Sequence, residues 1–403
     1  LEYRYKLDKL DERSSVSLMR TLSKLLNIES LQKKNNEALK QISIRLFNNP
    51  LLMKWYVLSV ASGRGNNTLL NRDSSSYQEA LKFCFENLFD QLSIIEKKII
   101  NTITYMRRPV SAVELRFILD ELNELDIENG LHNLNNSSML KCLSSSSTSY
   151  DSLVYILTDI AEEFITSYNE LDEELFSKVK RKKKELQVFV DENNTKKNHH
   201  NFDLNSIYWY SKDQKICSMY LKQALEAYKK GKDLDLALSL AKKAKELMPE
   251  YSECYRVNGY LLIKTNPFKA ENEFETAIQY DKNSAISYYA YAQFLIQLEE
   301  FERAKELIDL ALNIVQDDIS LLTMKAWLLT VLGDFKTAIS IYNDLIPKQY
   351  NRPRKFIIST YTQAINCRKR NSELMLQNQD FNSTSRLLNE AIDLLNQALL
   401  NSY

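Results

Sequence analysis

The chain has 403 residues, enough for two to four domains, and its 44% hydrophobic content supports ordinary buried cores and excludes a disordered protein. Lys and Arg (53) balance Asp and Glu (53), so no global field draws it to nucleic acid or to an anionic membrane. Six Gly and six Pro are few for this length, and the abundance of Leu, Lys, Glu, Ala and Asn predicts a mainly α fold.

Residues 1–70 read as a small helical domain. An extended EYRYKLDKL leads into helices near 14–27, 29–47 and 50–61. The last of these opens NNPLLMKWYV, with Pro50 in the first turn, where its missing N–H has no partner to lose. Residues 78–168 follow a different grammar. Two apolar-periodic helices, QEALKFCFENLFDQL and SIIEKKIINTITYM, precede Ser111-x-x-Glu114, a capping box that starts a third helix, and a short helix follows near 126–135. The runs SSMLKCL and SLVYILT flank SSSSTSY and read as a β-hairpin with a polar tip. Helices followed by a hairpin are the order of a winged helix. Residues 169–205 read as a charged helix and a linker, whose ENNTKKNHHN stretch is a surface connection.

The remainder, 206–403, is periodic on a longer scale. Ala237, Ala270, Ala304 and Ala338 lie 33, 34 and 34 residues apart. Four residues after each come Ala241, Phe274, Ile308 and Tyr342, and seven after come Ala244, Ala277, Ala311 and Leu345, which is one helix face repeated. A partner helix precedes the later three, with close-packing pairs Tyr255 and Gly259, Tyr288 and Ala292, and Leu322 and Ala326. These residues resemble tetratricopeptide repeats, about four units from 217 to 350, closed by longer helices near 354–376 and 383–400 that read as a terminal cap. The consensus tryptophan is replaced by Leu221, Tyr255, Tyr288 and Leu322.

No catalytic constellation can be written. The glycines, Gly63, Gly65, Gly130, Gly231, Gly259 and Gly333, make neither a P-loop nor G-x-G-x-x-G. His132, His199 and His200 form no metal motif. Cys84, Cys142, Cys217, Cys254 and Cys367 are scattered, which suits reduced thiols and a cytoplasmic location. No apolar run approaches the roughly 18 residues of a membrane span. The winged helix's candidate recognition segment, Asp126 to Asn135, carries two acids and no Lys or Arg, so a structural role is favoured over DNA reading. The basic run from Lys178 to Lys184 reads as a solvated helix face.

The order helical domain, winged helix, tetratricopeptide repeats resembles the C-terminal portion of STAND signal-transducing P-loop ATPases. Asn48-Asn49-Pro50-Leu51 is similar to that family's lid motif, whose proline lies beside the adenine, with Asn48 where glycine is common. Thr158-Asp159, just after the second wing strand, occupies the place of the family's phosphate-sensing Met-His-Asp motif, with Thr158 where the family has histidine. The resemblance implies ATP or ADP with Mg²⁺, bound chiefly by a P-loop domain expected upstream of Leu1, and self-oligomerisation on activation. It further implies that the repeats bind a protein ligand, in antiphage defence when the host is bacterial, at groove positions falling on Lys222, Glu226, Arg256, Tyr260, Tyr289, Gln293 and Trp327. Two other readings stand beside it: a winged-helix transcription regulator with repeats that bind a peptide, and a tetratricopeptide scaffold without enzymatic activity.

Overall fold

Three of the first four helices start where a side chain can satisfy orphan N–H groups, the exception being the four-residue helix Glu29–Gln32. In the computed structural model the described residues are 10–61, 77–144, 153–168, 172–194, 202–349 and 353–400. Most of the EYRYKLDKL stretch, Gly63 and Gly65, the hairpin tip, and His199 and His200 lie outside them. The Asp11 carboxylate accepts the Ser14 N–H at 2.8 Å and opens α1 (Glu12–Leu25). The helix expected over 29–47 is two, α2 (Glu29–Gln32) and α3 (Asn36–Arg45). The break has a cause: Asn35 caps α3, and the Arg20 guanidinium donates to the carbonyls of Gln32 and Lys34 at 3.0 and 2.8 Å. In α4 (Pro50–Ala61) proline holds the first helical position, and Asn49 Oδ1 accepts from the N–H groups of Leu51 and Leu52. This helix is buried on most of its circumference, which is why its sequence shows no polar stripe.

After α5 (Tyr77–Phe89) and α6 (Ile94–Met106) comes β1 (Val110–Ser111), then α7 (Ala112–Ile118), α8 (Glu124–Asn136), β2 (Leu140–Ser144) and β3 (Leu153–Leu157). The expected capping box forms: Ser111 Oγ accepts from the Glu114 N–H, and the Glu114 carboxylate accepts from the Ser111 N–H. The sheet runs β1–β3–β2, antiparallel throughout, with Leu140 opposite Leu157 and Val110 opposite Tyr155. Next come α9 (Asp159–Tyr168) and α10 (Glu173–Asn194). Trp55 of α4 meets Phe85 of α5 edge-on at 5.1 Å, and Phe85 stacks on Phe164 of α9 at 4.0 Å, so an aromatic cluster unites these helices. On α10, Lys178 and Lys182 do not face water freely. They pair with Asp120 at 2.7 and 3.1 Å, and Lys182 lies 4.6 Å over the Phe117 ring.

The chain divides into two compact units, Leu1–Val190 and Asp191–Tyr403. The second is a stack of helical hairpins: α11 (Lys212–Glu226) with α12 (Leu234–Leu247), α13 (Ser252–Leu262) with α14 (Pro267–Tyr280), α15 (Ala285–Gln297) with α16 (Phe301–Ile314), and α17 (Ile319–Leu332) with α18 (Phe335–Leu345). A longer pair, α19 (Arg354–Gln377) and α20 (Phe381–Leu400), closes it. The repeat stripe from Ala237 to Leu345 is buried at every one of its positions. Gly259 allows the close approach of α13 and α14, since a Cβ there would meet three Phe274 ring atoms at 3.1 Å. First helices of successive hairpins also touch one another, as α11 does α13 and α13 does α15, so they form a continuous face.

Candidate functional site

In the first unit one residue singled out in the sequence, Thr158, meets two α4 residues that follow Pro50, Lys54 and Trp55, at a single turn. Lys54 of α4 donates to the Asn136 carbonyl and to Ser138 Oγ at 2.7 and 2.6 Å, and Trp55 Nε1 donates to the Ser137 carbonyl at 2.8 Å. A lysine at the C-terminus of α8 is also where the helix dipole favours a cation, though burial lowers its pKa. Thr158 Oγ1 donates to the carbonyl of the same Ser138, at 3.2 Å, and its N–H to that of Met139 at 2.9 Å. The Ser138 turn therefore ties the start of α4 to the start of α9. Thr158 is 7% exposed, and its hydroxyl proton is already directed to the main chain. Asp159 is open to solvent beside Lys141 at 3.3 Å. Ahead of Pro50 the chain takes a double left-handed step, φ 56° at Phe47 and 50° at Asn48. Asparagine tolerates that conformation best after glycine, which explains why it can stand at a position where glycine is common. Asn48 Oδ1 is buried without a hydrogen-bond partner.

In the second unit the first-helix face holds a cavity of about 650 Å³. Tyr260 of α13, Tyr289 and Gln293 of α15, Thr323 and Met324 of α17, and Lys355 and Phe356 of α19 are in its lining. Three of the seven groove positions read from the sequence are thus brought together. Tyr260 meets Tyr228 edge-on at 6.0 Å with Lys229 Nζ 5.7 Å from its ring centre. Burial lowers the pKa of Lys229, and the Asp203 charge pulls it part of the way back. Lys355 Nζ sits 4.8 Å from the Phe356 ring centre. The cavity is therefore aromatic and amide-lined with two cationic heads, a set suited to a peptide carrying an aromatic or aliphatic group next to an acid.

The other four positions are elsewhere. Lys222 is half-buried on α11, and Glu226, its last residue, lies 3.9 Å from Lys230 in the π-helical turn that follows. Trp327 packs inward, edge-on to Phe301 at 6.0 Å. Arg256 is 1% exposed, and its guanidinium donates to Glu253 at 3.1 Å and to the carbonyls of Leu204 and Ser206 at 3.0 and 2.7 Å. Residues 202–208, the first four of which read as linker by composition, therefore cross the face and cover it at Arg256. The only local hint in the sequence is apolar spacing, Phe202, Leu204 and Ile207, within an otherwise polar stretch.

A family model for the tetratricopeptide repeat matches residues 261–328. The chain carries tetratricopeptide repeats, a fold of stacked helices that serves as a surface for other proteins. No curated protein matches it. Solved structures similar to it include YrrB, a TPR protein with an unusual peptide-binding site, at 16% identity over 54% of this chain and 96% of that one, TM-score 0.35. A STAND protein with a tetratricopeptide repeat sensor, PH0952 from Pyrococcus horikoshii, aligns at 15% identity over 98% of this chain and 62% of its own, TM-score 0.35. The Cut9–Hcn1 hetero-tetramer of the APC/C aligns at 14% identity over 97% and 78%, TM-score 0.37. At these values the likenesses decide neither partner nor activity. Among the described residues no helix is long and apolar enough to cross a membrane.

Proposed function

We propose that the second unit is a sensor that binds a protein ligand along the face of its first helices, and that the first unit is the lid and winged helix of a STAND-type ATPase switch. The observation that carries the sensor reading is the cavity of Tyr260, Tyr289, Gln293, Lys355 and Phe356, built by residues from successive hairpins. Aromatic anchors in a partly desolvated groove are where protein interfaces concentrate their binding energy. The switch reading is supported by the order α6–β1–α7–α8–β2–β3 and by the Ser138 turn that links α4 to α9. In this scheme the ligand prefers the open form, moves lid and wing, exchanges ADP for ATP and permits oligomerisation. In a bacterial host, a phage protein sensed in antiphage defence is one such ligand.

The two ends of the nucleotide-sensing region fit a nucleotide differently. At the lid, the orphaned Asn48 Oδ1 beside Pro50 suits the exocyclic amino group of an adenine. At the wing, Thr158 has no proton left to offer a phosphate, and Asp159 has the wrong sign for one. Within this chain, Asn48 and Pro50 are accordingly assigned to the base, and neither Thr158 nor Asp159 to the phosphates. A DNA-reading role is disfavoured because α8 carries Glu124, Asp126 and Glu128 and no Lys or Arg. The test is to express the complete gene and measure bound nucleotide in the purified protein. Co-purified ADP, lost in Pro50→Ala with the helical content unchanged, is expected. A coding sequence without a Walker A motif upstream of Leu1, or a nucleotide-free product, overturns the switch reading.

A further inference from the structure

Residues 202–208 do on the solenoid what a bound peptide would do. Phe202 is 7% exposed and lies 5.2 Å from the Tyr289 ring, and Leu204 packs on the same apolar cluster. Asp203 folds the chain into a tight turn, its carboxylate accepting the Asn205 N–H at 3.0 Å and its carbonyl the Ser206 N–H at 2.8 Å. After the turn, Arg256 reads the carbonyls of Leu204 and Ser206, and the Tyr251 hydroxyl donates to that of Tyr208.

The reader is built in advance. Arg256 and Glu253 are both buried and paired, so the guanidinium's remaining donors are held at fixed positions toward two carbonyls of one passing chain. Carbonyls are common to all peptides. The selectivity is left to the Phe202 and Leu204 side chains and to the acid at 203, which lines the same cavity as Lys229. Phe202, Asp203, Leu204 and Asn205 also form one wall of the open cavity, so the filled and open stretches of groove are continuous.

We infer that the first half of the groove is a peptide site that the chain fills with its own residues 202–208, and that a partner protein binds by displacing them with a turn of the same aromatic–acidic–aliphatic chemistry. This rests on the protein-ligand reading above and adds the ligand's chemistry and the competition.

The probe is a fluorescein-labelled peptide of residues 202–210, FDLNSIYWY, titrated against the whole chain by anisotropy. A tethered segment competes at an effective concentration of order millimolar. The peptide should therefore bind Phe202→Gly/Leu204→Gly at least about tenfold more tightly than the wild type, and a scrambled peptide should bind neither. Equal affinity for both chains, or no binding to either, overturns the inference. Should the double variant fail to fold, Asn205→Cys in a Cys142→Ser background, labelled with an environment-sensitive dye, reads displacement directly. Excess peptide should shift its emission saturably, and an unchanged emission overturns the inference equally. A peptide selected on the wild type that depends on Tyr289 but ignores the Phe202→Gly/Leu204→Gly change would leave the ligand groove standing and remove the self-occupancy alone.

Discussion

Single side chains decide how the chemistry is distributed, and their partners lie far away in sequence. Lys178 begins a basic run that by itself suggests a solvated face or an anion site. In the fold, Lys178 and Lys98 both donate to Glu121, and Lys178 and Lys182 hold Asp120. Burial alone would raise the Glu121 pKa, but the hydrogen bonds from these lysines outweigh it and hold the group at about 2. A carboxylate depressed below its ordinary 4.5 contributes stability that is fully present above that pH and is lost as pH falls toward 2. Glu121→Gln should therefore unfold at lower denaturant than the wild type at pH 7, with the gap closing as the pH is taken down to about 2. A gap that stays constant between pH 7 and pH 3 would contradict the pairing. Arg256 makes the same point for the site. Its position on a repeat is legible from spacing, but its partners are the carbonyls of Leu204 and Ser206, about which the sequence around Arg256 says nothing.

Helices and hairpins were the most legible level, because their signals are local or strictly periodic. The alanine stripe at 237, 270, 304 and 338 predicted a buried face and the structure buries it, since small residues are what let the helices of a hairpin meet closely. The Ser111 capping box started α7 where its spacing said it would. The break between α2 and α3 was not legible, because Arg20, sixteen residues before Asn36, supplies the bonds that stabilise it. Linker composition likewise concealed residues 202–205, and the three apolar groups of 202–208 count only once the solenoid face is there to receive them. The hairpin approach sets a sharp expectation at Gly259. A Gly259→Leu side chain would drive into the Phe274 ring, and overpacking of this kind costs about 1–3 kcal/mol. Urea unfolding should show that loss, whereas an exposed glycine such as Gly231, whose Cβ would meet little, should accept the same change within about 0.5 kcal/mol.

At the level of the molecule, two units of different construction share one chain. The first is knitted by long-range polar contacts around the Ser138 turn. The second is a repeat stack whose stability accumulates between neighbours and whose first-helix face is left partly open. Composition excluded the alternatives that need a global charge, and periodicity located the repeats. In the proposed reading, the ligand's identity is set by the few residues that line the cavity. The most direct test is to pan a random-peptide display library on the whole chain and titrate the selected peptides against wild type, Tyr289→Ala and Lys355→Ala. Peptides sharing an aromatic or aliphatic residue next to an acid, each weakened about tenfold or more by both substitutions, are the expected result. Selected peptides that share no such pattern, or that bind all three chains with equal affinity, would contradict the groove as the ligand site.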